Sequence, residues 1–334
     1  NRWPNEFFDP AFYKKVYSLK EGDNALTHYI MTPHALLNRT SEKFDGAFYY
    51  FLHADVKKAQ INPLYHYLRY GKNEKRAVIK PYKEKNKNSL IHIPSKLSKI
   101  NISIIVPVYN AIDEVIDCLD SVIQNTPLGR NIKLLVINDA SSDKNVYEKL
   151  NKYESLPSVK IIHNKKNIGY TNNVNYGISL CDRDDIVLLN SDTIVSKNWL
   201  RQMSIAAYQN DDVGTVTAVS NGAGAFSVPN AGWNDIPVHF SISHIARLVS
   251  SSIEDQIFVT TPTGNGFCIY IKRELIDNIG VFDKIKFPRG YGEENDFCMR
   301  AVSKGWVNVV DLKTFVYHKR SASFKGEKEH LIEQ

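Results

Sequence analysis

Cysteine is scarce in this 334-residue chain, and its positions exclude two common uses of the residue. The cysteines contain no Cys-x-x-Cys pair and have no metal-ligand spacing. They are Cys118, Cys181, Cys268 and Cys298. Neither a disulfide framework nor a structural zinc site is therefore indicated. We expect reduced, mostly buried thiols in a cytoplasmic protein.

Long apolar runs are also missing, as is a strong excess of either charge. No run approaches the roughly 18 residues of a spanning helix, and the opening residues, which begin with Asn1, lack a signal-peptide pattern. The chain has 42 Lys and Arg against 36 Asp and Glu, a net charge of +6. This mild excess suits an anionic substrate or membrane surface and does not demand nucleic acid as a partner.

The N-terminal region is rich in aromatic residues and contains a weak internal repeat. The stretch "FDPAFY" (8–13) returns as "FDGAFY" (44–49), and "THYI" (27–30) is matched by "YHYL" (65–68), an offset of 36 to 38 residues. Such a period is typical of stacked helical hairpins, each too small to close a core alone. We predict a helical accessory region over residues 1–80.

A lysine-rich stretch follows this region. Residues 81–99 have little periodicity, so we predict a solvated linker. Its positive charge is also compatible with peripheral contact with an anionic membrane surface, such as the inner face of the cytoplasmic membrane.

From Ile100 onward, short β-rich runs alternate with helical patterns. The runs that indicate buried strands are "ISIIVPVY", "IKLLVIND", "VKIIHN" and "DIVLLNSD". The alternation predicts an α/β fold, a mainly parallel sheet flanked by helices. Open parallel sheets bind ligands beyond the carboxyl ends of their strands, so the polar residues at those ends are candidates for a site.

Two of these strands end in polar residues. One ends in Asn138 and Asp139, and another in Asn190, Ser191 and Asp192. Each group alone has a structural explanation, because Asn, Ser and Asp also cap helices and form turns. Two such strand ends, together with the motifs that follow, favour two carboxylates that converge on one ligand crevice.

Ordered motifs span about residues 100–325. They are "SIIVPVYNA", "VINDASSD", "NIGYTNNVNYGI", "LLNSDT", "GEENDFCMRA" and "VYHKRSAS". In this order they resemble the family 2 glycosyltransferases of GT-A fold, and look like the bacterial transferases that build capsule, O-antigen or other surface glycans. The resemblance implies a GT-A domain over residues 100–334 and an inverting, hexosyltransferase-type reaction. It implies a nucleotide-sugar donor, with UDP favoured over dTDP or GDP, a glycan or lipid-linked glycan acceptor, and Mn²⁺ or Mg²⁺.

By this resemblance, one group of residues surrounds the donor, and the carboxylate of Asp139 accepts a hydrogen bond from the nucleobase. The expected donor-binding residues are Pro107, Tyr109, Asn110, Asp139, Gly169, Asn172, Asn175, Asn190 and Ser191. The residues also support this assignment directly. Gly169 permits a close approach, and a helix from Tyr170 places Asn172 and Asn175 on one face.

Asp192 and His318 are the expected metal ligands. Asp192 matches the last residue of the family's Asp-x-Asp signature, and His318 matches its C-terminal histidine. A hard divalent cation stabilises a departing diphosphate, and an imidazole ligand favours Mn²⁺ slightly over Mg²⁺. The alternatives are that His318 only ends a strand, or that Lys319 and Arg320 supply the positive charge for the phosphates.

The motif "GYGEENDFCMRA" contains three carboxylates, Glu293, Glu294 and Asp296. The helix macrodipole favours acidic residues in a first turn, so one or two of them need no function. The family pattern Glu-Asp-x-Asp-Leu aligns on residues 293–297. This alignment implies Glu294 as the general base, with Glu293 and Asp296 as the alternatives.

The acceptor is expected near Gly266, Tyr291 and Gly292. Glycines in "TGNGF", Gly264 and Gly266, permit a sugar to approach the backbone closely. Trp233, Tyr291 and Trp306 are candidate stacking platforms, although large aromatic residues more often belong to the core.

Two other functions remain as alternatives. A nucleotidyltransferase needs a basic, glycine-rich loop after its first strand, and "PVYNAIDE" offers none. A glycan-binding or scaffold protein with an inactive transferase domain does not need Asp192, a base carboxylate and His318, all of which are retained.

Overall fold

The computed structural model describes residues 5–17, 19–32, 35–78, 100–236, 240–252, 258–288 and 290–319. The chain divides into two compact units, Asn1–Ile91 and His92–Gln334. The predicted linker at 81–99 lies outside the described residues, as do Arg320 and the residues that follow it.

The described part of the N-terminal unit consists of short helices and one small antiparallel ribbon. These elements are α1 (Pro10–Val16), α2 (Ala25–Met31), a 3₁₀ turn (Ala35–Leu37), β1 (Arg39–Ser41), β2 (Phe44–Asp45), α3 (Gly46–Leu52), α4 (Ala54–Ala59), α5 (Pro63–His66) and a π turn (Tyr67–Gly71). Side chains of Asp9, Asn24 and Asn62 accept hydrogen bonds from the first turns of α1, α2 and α5. These caps satisfy backbone donors that a short helix cannot satisfy itself.

The sequence repeat of this unit corresponds to a repeated set of contacts. Tyr13 Oη lies 3.0 Å from His28 Nδ1, and Tyr49 Oη lies 3.0 Å from His66 Nδ1. The aromatic residues of both repeats share one core, whose buried members include Phe8, Tyr13, Tyr29, Phe44, Tyr49 and Tyr67. Because each repeat is small, the two close this aromatic core together.

The C-terminal unit is built on an eight-stranded sheet. Its strands are β3 (Ile102–Val108), β4 (Ile132–Asn138), β5 (Val159–His163), β6 (Asp185–Leu189), β8 (Val213–Val219), β9 (Phe258–Thr261), β10 (Cys268–Ile271) and β11 (Val307–Phe315). The spatial order is β5-β4-β3-β6-β10-β8-β11-β9. The four predicted strands, β3 to β6, pair in parallel, as do β8 and β11. Strands β9 and β10 run antiparallel to their neighbours.

Helices cover both faces of this sheet. They are α6 (Ile112–Asn125), α7 (Lys144–Asn151), α8 (Tyr170–Ser179), α9 (Trp199–Tyr208), α10 (Ile242–Ser251), α11 (Arg273–Ile279) and α12 (Glu293–Ser303). Alternate residues of β3 belong to different layers, since Ile104 joins the core under α6 and α9 and Ile105 the core under α8 and α12. A central strand buried on both faces explains why its sequence is a continuous apolar run.

The order of the strands creates a crevice at one edge of the sheet. From β3 the chain adds β4 and β5 on one side and then returns to place β6 on the other side. This reversal opens a crevice at the carboxyl ends of β3 and β6. A separate ribbon pairs β7 (Thr193–Ile194), which follows β6, with β12 (Tyr317–His318).

All four cysteines are buried and free of disulfide bonds, as the sequence predicts. Across the described ranges, no helix combines the length and apolar character that crossing a membrane requires.

Candidate active site

Asp139 is buried at the end of β4, beside the end of β3. Its N–H donates to Val108 O over 2.8 Å. Its carboxylate accepts hydrogen bonds of 2.9 Å from Asn164 Nδ2, Ile168 N and Gly169 N. An ionised carboxylate has about four acceptor positions, so one remains for a further donor.

Two asparagines that sequence reasoning missed complete this cluster. Asn164 Nδ2 also lies 2.9 Å from Asn173 Oδ1, and Asn173 Nδ2 donates to Ile137 O over 3.1 Å. Asn164 directly follows β5, so the rule that selected polar residues at strand ends would have found it. No such signal distinguishes Asn173 from the other asparagines of α8.

The predicted donor-binding residues after β3 differ in what they expose. Pro107 is buried within the strand, whereas Tyr109 beyond its end has 47% of its surface exposed. Asn110 joins β3 to the loop after β4, since its N–H donates to Ser141 Oγ over 2.8 Å and its Oδ1 accepts from Asp143 N over 3.1 Å. Tyr109 therefore offers an open aromatic ring, whereas Asn110 fixes the neighbouring loop.

The predicted donor-binding residues of α8 and of the loop before it lie in two different locations, one beside Asp139 and one in a separate cavity. Gly169 contacts Asp139, and its φ of +84° together with a Cβ position 2.7 Å from Pro288 O requires glycine. Asn172 and Asn175 instead line a separate cavity. The Asn175 amide binds the backbone of Phe282 through both of its polar atoms, at 2.8 and 3.2 Å.

Asp192 and His318 are brought together by the ribbon of β7 and β12. Asn190, Ser191 and Asp192 form the turn between β6 and β7, and His318 pairs with Thr193 across the ribbon. His318 Nε2 lies 3.2 Å from Asp192 Oδ1. Two residues more than a hundred positions apart therefore form one polar pair at the end of the sheet.

Contacts on the other side of the ring orient His318. Its Nδ1 lies 3.0 Å from Gly222 O. Because a carbonyl oxygen only accepts hydrogen bonds, Nδ1 carries a proton, and Nε2 is the ring nitrogen that faces Asp192. The Asn221 amide holds the backbone of His318 at both N and O, at 2.8 and 3.1 Å. Phe267 stacks on the imidazole with a centroid distance of 5.3 Å.

This pair fits a divalent cation as a partial set of ligands. In its neutral form the imidazole would offer the Nε2 lone pair beside a carboxylate oxygen, and both are ligands that a divalent cation accepts. Among the described residues, no group of three or more His, Cys, Asp or Glu side chains is arranged to hold a metal. Further ligands would therefore come from phosphate oxygens and water, as is usual for Mg²⁺ and Mn²⁺ sites on nucleotides. Lys319 instead points to α6, with Nζ 3.5 Å from Glu114 and 3.6 Å from Asp117.

Glu293 and Glu294 begin α12 as a closely coupled acidic pair. Burial, and then the neighbouring Glu294 carboxylate, raise the pKa of Glu293 to about 7. The Oε2 atoms of both residues are buried and have no hydrogen-bond partner within the described residues. Gly290, Tyr291 and Gly292 before them all have positive φ, which is uncommon for tyrosine. An unusual turn thus presents two adjacent carboxyls, one of which, Glu293, has a pKa raised to about 7.

Asp296 is not part of this pair. Its Oδ2 accepts a hydrogen bond from Arg300 Nε over 2.7 Å, and Arg300 also donates to Ile279 O and Val281 O. Asp296 therefore helps to attach α12 to the end of α11, and it is absent from the cleft that Glu293 and Glu294 line.

The cleft of Glu293 and Glu294 adjoins the Asp192–His318 pair. A Cβ at Gly266 would lie 4.0 Å from Glu294 Cδ and 3.9 Å from Tyr170 Oη. The next residue, Phe267, stacks on His318. Tyr170 is affected by both acidic groups. Burial, and then the charges of Glu293, Glu294 and Asp192, raise its pKa. Sequence reasoning missed Tyr170 as a site residue, although it directly follows Gly169 in the motif.

Some of the residues predicted to contact the acceptor line the cleft or are exposed, and others pack in the core. Gly266 lines the cleft, and Tyr291 is 56% exposed in the turn before α12. Gly264 is required by packing, since a Cβ would lie 2.7 Å from Ile269 Cδ1. Trp306 packs against the core and donates to Asn278 Oδ1, whereas Trp233 remains 44% exposed.

Comparisons with known proteins agree with this architecture. Residues 103–280 match Glycosyl transferase family 2. An uncharacterized glycosyltransferase of Haemophilus influenzae is 29% identical over 114 residues, 34% of each chain. YibD, an uncharacterized glycosyltransferase of Escherichia coli, is 29% identical over 139 residues, 41% of this chain and 38% of its own. The matched segments thus span little more than a third of these curated relatives.

A solved structure shares the fold. GalNAc-T7, crystallised with UDP, GalNAc and Mn²⁺, superposes with a TM-score of 0.52 at 16% sequence identity, covering 66% of this chain and 44% of that chain. The family match covers more than half of the residues, and the sheet with its flanking helices has the GT-A architecture. The chain therefore belongs to glycosyl transferase family 2.

Proposed function

We propose that this protein transfers a sugar, with inversion at the anomeric carbon, from a nucleotide-sugar donor to a glycan hydroxyl in bacterial surface-glycan synthesis. One observation carries the proposal. The Asp192–His318 pair and the Glu293–Glu294 cleft adjoin across Gly266–Phe267. The Asp192–His318 pair is suited to bind a metal-bound diphosphate, and the Glu293–Glu294 pair is suited to accept a proton. The two pairs lie on either side of Gly266–Phe267.

At the donor side, this chain's residues bind and orient the nucleotide diphosphate. The remaining acceptor position of Asp139 suits an N–H of the base, and the exposed ring of Tyr109 suits contact with its face. Asp192 Oδ1 and His318 Nε2 would hold Mn²⁺ or Mg²⁺, which when bound neutralises charge on the departing diphosphate. Asn221 and Gly222 keep the imidazole in the required orientation.

At the acceptor side, Glu294 removes the proton of the attacking hydroxyl. The new bond joins that oxygen to the anomeric carbon, while the bond from this carbon to the diphosphate oxygen breaks. A proton on Glu293, whose pKa is raised to about 7, removes the repulsion between the two adjacent carboxyls, and Glu294 is the member proposed to accept the hydroxyl proton. General base catalysis of this kind contributes about 10²- to 10⁴-fold.

The donor class is part of the proposal. GalNAc-T7 was solved with UDP, GalNAc and Mn²⁺, and we propose a UDP-sugar and Mn²⁺ ahead of dTDP- or GDP-sugars and Mg²⁺. The acceptor is a glycan or a lipid-linked glycan. The proposed location is the cytoplasm, with peripheral contact at the inner membrane face through the lysine-rich residues 81–99.

We also propose that the two parts of the chain have different roles. Residues 1–80 act as an accessory region and residues 100–334 as the transferase domain, because every residue assigned a chemical role follows Ile100. A shortened chain that begins at Lys96 should bind UDP as tightly as the full chain in calorimetric titration. A folded short chain that fails to bind would contradict this division.

Release of nucleoside diphosphate tests the function directly. Purified protein is incubated with Mn²⁺, an oligosaccharide mixture and UDP-, GDP- or dTDP-sugars in turn, and the expected result is release from at least one donor. NMR of the product should show the opposite anomeric configuration. Pyrophosphate release from a nucleoside triphosphate and a sugar phosphate would instead identify a nucleotidyltransferase. Glycan binding without any release would identify an inactive scaffold.

A further inference from the structure

A cavity of about 880 Å³ lies along α8 and is separate from the residues assigned to transfer. It is bounded by the loop before α8, the first residue of α11 and the segment after α11. Its volume lies within the range of about 300–1,000 Å³ that is typical of small-molecule sites. None of Asp139, Asp192, His318, Glu293 and Glu294 lines it.

Three cationic side chains line this cavity, those of Lys166, Arg273 and Lys284. Within the described ranges, none of the three forms an ion pair. Asp182 is the one carboxylate of the lining. The described part of the cavity wall therefore carries a net positive charge.

Arg273 is held in place by the fold. Its Nε donates to Asp184 O over 3.0 Å, and its backbone N–H donates to Asp185 Oδ1 over 2.8 Å. Its Nη2 is buried and has no acceptor among the described residues. Native structures leave few buried donors without a partner, because an unpaired buried donor is destabilising. The guanidinium is thus a positive group that the fold fixes at the cavity wall.

The rest of the wall suits a saccharide. Tyr176 is 40% exposed in the cavity lining. Asn172 Nδ2 donates to Ile168 O over 2.9 Å, and its Oδ1 has no donor within the described ranges. Asn175 fixes Phe282 through its backbone, so this side of the cavity is rigid. Phe282 also lines the Glu293–Glu294 cleft, so the cavity adjoins the acceptor side.

We propose that this cavity binds an anionic saccharide, with a phosphate or carboxylate group among Lys166, Arg273 and Lys284 and a sugar ring against Tyr176. Charge-assisted hydrogen bonds from Arg and Lys are the usual means of holding such groups. The inference does not rest on the proposed transfer reaction, because binding here involves none of the residues assigned to transfer.

NMR titration of the full chain tests the site with three matched probes. They are galactose 6-phosphate, galacturonic acid and galactose. At least one anionic probe should bind, and galactose should bind about tenfold more weakly because it lacks the charge. A preference between the anionic probes identifies phosphate or carboxylate as the recognised group. Failure of both anionic probes to bind would overturn the proposal.

Variants locate the binding. Lys166→Gln combined with Lys284→Gln should weaken the anionic probe about tenfold, since two charges are removed from exposed positions without disturbing Arg273. Lys160→Gln on β5, an exposed lysine outside the lining, should change nothing. Excess UDP with Mn²⁺ should not displace the probe. Unchanged affinity in the double variant, or displacement by UDP, would place the probe elsewhere and overturn the assignment.

Discussion

The two units of this protein use buried polar side chains in different ways. In the N-terminal unit, a Tyr–His hydrogen bond occurs twice, as Tyr13–His28 and Tyr49–His66, at equivalent positions of the repeat. In the C-terminal unit, the Asp192–His318 pair occurs once, where the β7–β12 ribbon meets the end of the sheet. Repetition indicates a packing role, because the contact recurs wherever the same core is built. A single pair at a strand end, beside a carboxyl cleft, indicates a site.

The buried polar groups of the two units also differ in how many of their hydrogen-bonding atoms have partners. Burial lowers the pKa of His66, so its ring stays neutral and Tyr49 pairs with it without any net charge. Glu293 and Glu294 instead hold buried oxygen atoms without partners within the described residues, and the pKa of Glu293 rises to about 7. Proteins satisfy polar groups that only support the fold, whereas imperfect satisfaction is a feature of sites that bind or react.

The largest expected effect on activity is at Asp192, a member of the Asp192–His318 pair of the C-terminal unit. Exhaustive chelation, or Asp192→Asn, which keeps the size and removes the charge, should lower nucleoside diphosphate release by about a thousandfold. The lost stabilisation of the diphosphate charge is the reason. Readdition of Mn²⁺ should restore the wild type only. Undiminished turnover after chelation would contradict metal dependence, and a near wild-type rate in Asp192→Asn would remove the residue assignment.

Glu294→Gln should have the next largest effect. Turnover should fall by at least about a hundredfold while donor affinity is unchanged, because the amide keeps the shape and cannot take a proton. Asp296→Asn is the matched control, and it should chiefly lower stability, since Asp296 pairs with Arg300. If Asp296→Asn or Glu293→Gln abolishes the activity of folded protein and Glu294→Gln does not, the base must be reassigned.

Glu293→Gln should change how stability depends on pH. The pKa of Glu293 is about 7 in the folded protein, raised from the value of 4.5 that a glutamate has in an unfolded, solvated chain. Between these values the unfolded state loses its proton first, so the wild type loses stability as the pH rises and levels off above about 7. Glutamine does not titrate. The free energy of unfolding of the variant, relative to wild type, should therefore increase by about 3 kcal/mol between pH 4.5 and pH 8.

Urea unfolding at several pH values measures this difference, and Glu274→Gln, at an exposed position of α11, is the matched control. An equal pH dependence in wild type and Glu293→Gln would mean that Glu293 ionises normally. The Glu293–Glu294 pair would then behave like acidic residues in the first turn of any helix.

The smallest effect is expected in the repeat. Tyr49→Phe should lower the free energy of unfolding by about 1–2 kcal/mol, because it leaves His66 without its hydrogen bond, and Tyr13→Phe should act similarly on His28. Neither should change the affinity for UDP. Chemical denaturation and calorimetric titration measure the two quantities. A variant of either tyrosine that folds normally and no longer binds UDP would break the contrast between a packing pair and a site pair.

Much of the fold was predictable because its signals are local. Strands β3 and β6 are largely apolar and buried along their whole length, which is the signature of a strand covered on both faces. Polar residues at the ends of β4 and β6 mark where the sheet opens into a crevice. The antiparallel strand β10 was not predicted. It pairs with β6, about eighty positions earlier in the chain, and no short-range pattern in Cys268–Ile271 specifies that partner.

The sequence alone determined the family, the strand-end carboxylates and the three candidate acids at the start of α12. Only the tertiary structure gave these three acids different environments, by pairing Asp296 with Arg300 and burying Glu293 against Glu294. It likewise brought His318 to Asp192 through the β7–β12 ribbon. The physical reason is the same in each case. The residue type is local information, whereas burial, charge partners and the lone pair that a ring presents depend on contacts between distant segments.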